Sequence, residues 1–368
     1  MIAIKNCKYF KDGELLRNRT ILIKEGKILE LDAEGIPSGC ELIDADDCYV
    51  SPGFIDLQIY GSGGNLFSAH PDAATLRQMD ADLCGKGTTG FLACVATNTP
   101  GVVWQAIEAA KIYRHEAAGF LGLHLEGPYL NVKRRGAHIA EYIKKAELDE
   151  VKRLMDHADG VVKMMTVAAE LQDDAVINCL LDAGVVLSLG HSDASFQEAM
   201  AAYDKGFKTT THLFNAMPSI HHRSPNLPVA AFTHETAMAS IIADGRHIDF
   251  EVIRMSHRLM AGRLFLITDA VTACGTGPYQ HRLSEDRFVT PDGTLSGSNI
   301  TLLEAVRNCV DHCGISLDEA LRMASLYPAK LMELDKDLGS IDPGHKADLV
   351  LVSDELELRG VLVAGIFR

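Results

Sequence analysis

The chain has 368 residues, 47% of them apolar and 23% charged, enough to bury a sizeable core and far from the composition of a disordered segment. Its formal net charge of −15 argues against nucleic acid or an anionic membrane as partner, because both select clustered Lys and Arg. Nine scattered cysteines without a CxxC pair, a start lacking the apolar run of a signal peptide, and no apolar stretch near ~20 residues lead to the expectation of a cytoplasmic protein.

Over the first fifty residues apolar and polar positions alternate through AIKNCKYF, RTILIKEGKILEL and CELIDADDCYV, which predicts a small antiparallel sheet with hairpin turns at Asp12-Gly13 and Glu25-Gly26. The same texture returns in GSIDPGHKADLVLVSDELELRGVLVAGIFR at the other end of the chain. The two ends are therefore expected to form one β-domain, residues 1–50 with 340–368, around a central domain of residues 51–339.

Within that central part strands and helices alternate. The predicted strands are GFIDLQIY (53–60), TGFLACVAT (89–97), FLGLHLE (120–126), VVKMMTVAA (161–169), VVLSLGH (185–191), KTTTHLF (208–214), MASIIAD (238–244) and LFLITD (264–269). Stretches between them, such as AATLRQMDADLCGKG, LDEVKRLMDHA and SFQEAMAAYDKG, carry apolar residues at helical spacing and often end at Gly. Eight such units predict an α/β fold, a (β/α)8 TIM barrel with its function at the strand C-termini. A doubly wound sheet is the rival, but no GxGxxG follows the first strand of this region. Cys309 and Cys313, one helical turn apart, have no other ligand beside them and read as packing residues.

Four of the strands end in a polar residue suited to metal or proton chemistry: Glu126, His191, His212 and Asp269. One such residue would be an ordinary loop carboxylate or packing histidine. Glu, His and His on separate strands form a ligand set of hydrolytic zinc sites with an open fourth position. Asp269 can accept a proton from an attacking water and pass it to a leaving amine. The Ser-Asp pair after His191 reads as a helix N-cap, and Gly61 to Gly64 as a tight turn after the first strand.

The segments PGFIDLQIYGSGG, HLEGPYLN, GHSDAS, THLFNAM, IIADGRH, ITDA, GTLSGS and LRMASLYPAKLMEL resemble, in order and over nearly the whole chain, the N-acetylglucosamine-6-phosphate deacetylases of the amidohydrolase superfamily. The pair THLFNAM and HLEGP is specific to that family, whereas PGFID alone marks only the superfamily. The resemblance implies a barrel plus a β-sandwich built from both termini, and hydrolysis of N-acetyl-D-glucosamine 6-phosphate to glucosamine 6-phosphate and acetate. By the same motifs Glu126, His191 and His212 would bind the metal and Asp269 would be base and acid. His247 would contact substrate and polarise the acetamide carbonyl, while Ala137, His138, Asn215, Ala216, Leu295, Ser296 and Gly297 would line the sugar pocket and Arg223 would meet the phosphate. A homodimer is implied as well.

Many amidohydrolases carry His-x-His on the first strand and bind two metals, but the matching positions here are Gln58 and Tyr60. One divalent ion per site is therefore expected, zinc first, with Fe, Mn and Co able to share the ligands. Gln58 is expected to hold the attacking water, and Lys163 is not expected to serve as a metal-bridging lysine. The rival readings are a cyclic amidase or deaminase on the same barrel, and a non-catalytic scaffold.

Overall fold

A computed structural model describes all 368 residues. Its centre is an eight-stranded parallel sheet in sequential order: Phe54–Ile59, Thr88–Ala96, Phe120–Glu126, Val162–Val167, Val186–Leu189, Thr209–Thr210, Met238–Ile242 and Leu264–Ile267. These are the eight strands read from the sequence. The first and last meet through main-chain bonds from Asp269 N to Gln58 O (2.9 Å) and from Tyr60 N to Ala270 O (2.9 Å), and a parallel bridge joins Ile59 to Ala270. Phe54–Ile59 and Thr88–Ala96 are buried at every position, the pattern of parallel strands covered on both faces.

The helices begin where their sequences provide a cap. Asp72 accepts from Thr75 N ahead of Ala73–Cys84, and Thr99 with Pro100 opens Pro100–Tyr113. One predicted cap is corrected. The helix Phe196–Asp204 starts at Ser195, whose hydroxyl and Glu198 form a capping box, so the Ser-Asp pair after His191 is free for other bonds. Ser192 donates to Glu170 and Asp193 pairs with Arg134 instead.

Asp80 anchors the barrel's early turns. It lies on the first of these helices, only 4% exposed, and accepts from Tyr113 Oη (2.7 Å), Ala118 N (3.0 Å) and Gly119 N (3.0 Å). Replacing it with Ala strands three donors in the interior. The expected loss is about 3–5 kcal/mol in urea unfolding. A loss below about 1 kcal/mol would show that water or a shifted backbone takes over these bonds.

Residues from both ends of the chain form a second sheet, running Ile366–Phe367, Leu358–Val363, Leu349–Val352, Tyr49–Pro52, Ile2–Lys11, Glu14–Lys24, Lys27–Leu31. The predicted hairpins are there, with Asp12, Gly13, Glu25 and Gly26 all at positive φ. The expectation of an all-antiparallel sheet is corrected, since Glu41–Asp44 pairs with Ile2–Lys5 in parallel. Alternation in sequence reports a half-buried strand but carries no information about its direction. The sheet has its own core around Ile4, Tyr9, Ile21, Ile23, Leu349 and Leu362, whereas Val350, Val352, Val361 and Val363 join the main hydrophobic core. Lys8, fully covered, reaches Asp354 at 2.7 Å and Asp47 at 3.3 Å, tying the first strand to the last part of the chain. No helix is long and apolar enough to cross a membrane. All nine cysteines are free, and Cys309 and Cys313 are packed in the interior.

Candidate active site

The four side chains singled out at strand ends meet at one mouth of the barrel. Glu126 closes its strand and is followed by Gly127 at φ +89°. His191, His212 and Asp269 each lie two residues beyond theirs and have φ of +46°, +31° and +55°. Left-handed backbone at non-glycine residues costs on the order of 1–3 kcal/mol, and the surrounding packing must hold it. Its effect is to take each side chain out of strand alternation and let it reach the common centre.

Glu126 Oε1 lies 3.1 Å from His212 Nε2 and 3.3 Å from His191 Nε2, and the two imidazole nitrogens are 3.1 Å apart. All three residues are buried. The Arg134 carbonyl accepts from His191 Nδ1 at 2.8 Å, which puts the ring hydrogen there and leaves Nε2 with a lone pair. Three ligands of a tetrahedral ion with bonds of 2.0–2.2 Å stand about 3.3–3.6 Å apart, so this donor set fits a divalent cation. His212 Nδ1 is buried without a partner, so this second imidazole reaches its protein neighbours only through Nε2.

Asp269 is the fourth group. Gln58 Nε2 lies 2.8 Å from Asp269 Oδ1 and 2.9 Å from Glu126 Oε1, standing between the two carboxylates. Burial pushes the Asp269 carboxyl well above its usual range, and the nearby carboxylates of Glu126, Asp56 and Asp244 add to this against the opposing His212. For Glu126 burial also pushes upward, but the His191 and His138 imidazoles outweigh it and hold the carboxyl well below its usual range. The protein's own groups push the two acids in opposite directions, and the positive charge of a divalent ion beside Asp269 would draw its carboxyl to the ionised form that a base requires.

A pocket of about 780 Å³, including its open mouth, surrounds this centre. It is lined by Glu126, His191, His212 and Asp269 together with Ala137, His138, Asn215, Ala216, His247, Leu295, Ser296 and Gly297. Asp244 holds His247 through Nδ1 at 2.6 Å, leaving Nε2 without a protein partner. Gly297 has φ +126°, and a Cβ there would come 2.7 Å from Val271 Cγ1 and 2.9 Å from Asp269 O. Only glycine lets that segment pass so close to the end of the eighth strand. Arg223 is not brought into the pocket: it is exposed on the loop after Ala216, with its Nη1 at 2.7 Å from His222 Nε2. No Lys or Arg lines the pocket. Lys163 is exposed, away from the centre, and Gly61–Ser62 pairs with Asn65–Leu66 in a tight turn as expected.

Sequence reasoning missed Tyr279 and His281, which line the pocket from the long segment after the eighth strand. Tyr279 Oη donates to Thr97 O at 2.5 Å, and Ser296 Oγ lies 3.0 Å from His281 Nδ1. The only local signal was an aromatic and a histidine just after a Gly-Pro turn, in a segment that is neither strand nor helix.

Beneath the centre, Asp56 is fully buried and accepts from Thr268 Oγ1 at 2.5 Å and from Gln58 N at 3.2 Å. Burial pushes its carboxyl up to about 6 despite those bonds. The folded chain then keeps a proton that the unfolded chain releases near ~3.9, so stability due to this group falls as pH rises from about 4 to about 6. Compared with Asp56→Asn, the native protein is expected to lose roughly 3 kcal/mol over that window in urea unfolding. Parallel pH curves for the two proteins would contradict it.

Residues 49–366 match the model of the amidohydrolase family. The N-acetylglucosamine-6-phosphate deacetylase of Haemophilus influenzae is 31% identical over 99% of this chain and 98% of its own length, and that of Bos taurus is 33% identical over 99% and 95%. The chain belongs to the amidohydrolase family, among its N-acetylglucosamine-6-phosphate deacetylases. Among solved structures, the deacetylase from Pasteurella multocida superposes on this family member with a TM-score of 0.95 at 32% identity, covering 100% of this chain and 99% of that one. A mutant of the Mycobacterium smegmatis deacetylase in complex with N-acetyl-D-glucosamine-6-phosphate gives 0.91 at 30% identity, over 100% and 98% of the two chains.

Proposed function

We propose that this amidohydrolase cleaves the acetamide of N-acetyl-D-glucosamine 6-phosphate, giving D-glucosamine 6-phosphate and acetate, a step of amino-sugar catabolism. The reading is carried by the convergence of Glu126 Oε1, His191 Nε2 and His212 Nε2 beside Asp269 in a single pocket. A divalent ion held by those three groups supplies positive charge that polarises the acetamide and makes a water acidic enough to attack at neutral pH.

The chain's own residues do the rest. Asp269 takes the proton of the attacking water and returns it to the sugar nitrogen as the C–N bond breaks. Gln58, between Asp269 and Glu126, holds that water in line. His247, fixed by Asp244, turns Nε2 to the carbonyl oxygen and stabilises the charge that develops there. Ala137 with His138, Asn215 with Ala216, and Leu295 to Gly297 line the sugar. Arg223, whose guanidinium has no carboxylate partner, reads the phosphate from the rim. Zinc is the ion of first choice for one carboxylate and two imidazoles. A cytoplasmic homodimer, with residues 1–50 and 340–368 forming a β-sandwich beside a barrel of 51–339, completes the proposal.

Acetate release should be measured on N-acetylglucosamine with and without the 6-phosphate. The phosphorylated sugar is expected to be strongly preferred, and Arg223→Ala to shrink that preference roughly 10–100-fold, the worth of a charge-assisted contact. An unchanged preference would assign the phosphate to another residue, and no acetate from either sugar would remove the proposed reaction.

A further inference from the structure

Tyr60 stands where many amidohydrolases carry the second histidine of the first strand, and it is not idle there. It is 8% exposed, lines the pocket, and its hydroxyl donates to Glu126 Oε2 while accepting from Gln58 Nε2 at 2.9 Å. The same carboxylate oxygen has one further neighbour, His138 Nε2 at 2.9 Å. The direction of that bond follows from the other side of the ring: Thr97 N–H points at His138 Nδ1 at 3.3 Å, so Nδ1 accepts and Nε2 carries the hydrogen. A carboxylate oxygen has two lone pairs, and both on Oε2 are taken. Oε1, by contrast, faces His191 Nε2, His212 Nε2 and the Gln58 amide.

We infer that Tyr60 is a positioning residue: with His138 it occupies Glu126 Oε2, so that Oε1 alone is presented where the His191 and His212 nitrogens converge. The two donors come from different elements, Tyr60 from the end of the first strand and His138 from the loop after the third. Together they fix the carboxylate's rotation before any cation arrives. A histidine at position 60 would be a neutral ligand or a charged donor. The phenol is neither, and it fills the place beside Glu126 with a group that holds the carboxylate rather than a second ion.

This rests on reading Glu126, His191 and His212 as the ion site, and the test separates the two. Divalent zinc or cobalt affinity is measured by competition with a chromophoric chelator on the full chain, with bound metal counted by mass spectrometry. Tyr60→Phe removes one hydroxyl and keeps the ring. It is expected to weaken ion binding about 10–100-fold, the range seen when the partner of a ligand is lost, while KM at saturating metal stays within about twofold. His138→Ala is expected to weaken the ion by a similar factor, and the double variant by less than the product, because both act on one oxygen. Should Tyr60→Phe fail to fold, as judged by circular dichroism, His138→Ala carries the measurement. Wild-type ion affinity in Tyr60→Phe, or in His138→Ala where that stands in, overturns the positioning role. Glu126→Ala must lose the ion altogether; if it does not, the ion site itself is wrong, which is a different failure.

Discussion

Asp269→Asn is expected to keep the metal and lose turnover by about 10²–10⁴-fold, the share a positioned acid and base contributes. The substitution preserves shape, and its amide oxygen can still accept from Gln58 Nε2, which sits 2.8 Å from Asp269 Oδ1 in the native chain. What it removes is the ability to take a proton and give it back. The pocket-lining residues proposed to hold the sugar are untouched, so KM is expected to move little. Metal content by mass spectrometry and kcat from acetate release are the two readouts. Turnover within tenfold of native would mean that another group carries the proton.

His191→Ala is expected to lose the ion and the activity together. Structural zinc sites with four ligands gain about 10–16 kcal/mol from the ion, so one ligand is worth on the order of 10²–10³-fold in affinity. His191 is also the proposed ligand whose tautomer is set, through Nδ1 and the Arg134 carbonyl, which leaves the Nε2 lone pair free for an ion. A ligand that binds only the folded state raises its stability. The native chain is therefore expected to melt at lower temperature after chelation, and His191→Ala to melt at a temperature that chelator does not change. A variant that still holds a full equivalent of metal would exclude His191 from the site.

How far these residues could be read in advance depended on how local their signals are. The strand ending in Glu126 is a buried apolar run closed by Gly-Pro, a pattern legible without knowing which strands pair with it. His191, His212 and Asp269 were found because they follow similar runs, yet their left-handed backbone left no mark in the sequence, since none is a glycine. Parallel pairing of Glu41–Asp44 with Ile2–Lys5 was equally hidden, being a contact between distant segments. Tyr60 could be read as a missing ligand, but its bond to Glu126 joins the ends of the first and third strands and exists only in three dimensions. Arg223 shows the opposite limit: a motif supplies a residue type, and the exposed loop that carries it does not say where the guanidinium rests.

The two main-chain bonds that join Leu264–Ile267 to Phe54–Ile59 run through Gln58, Tyr60, Asp269 and Ala270. The stitches that complete the cylinder are thus made by the same residues proposed to carry the proton and to hold the water. Fraying at this seam would disarm the enzyme while most of its hydrophobic interior was still intact, so activity is expected to be lost on heating below the temperature of global melting.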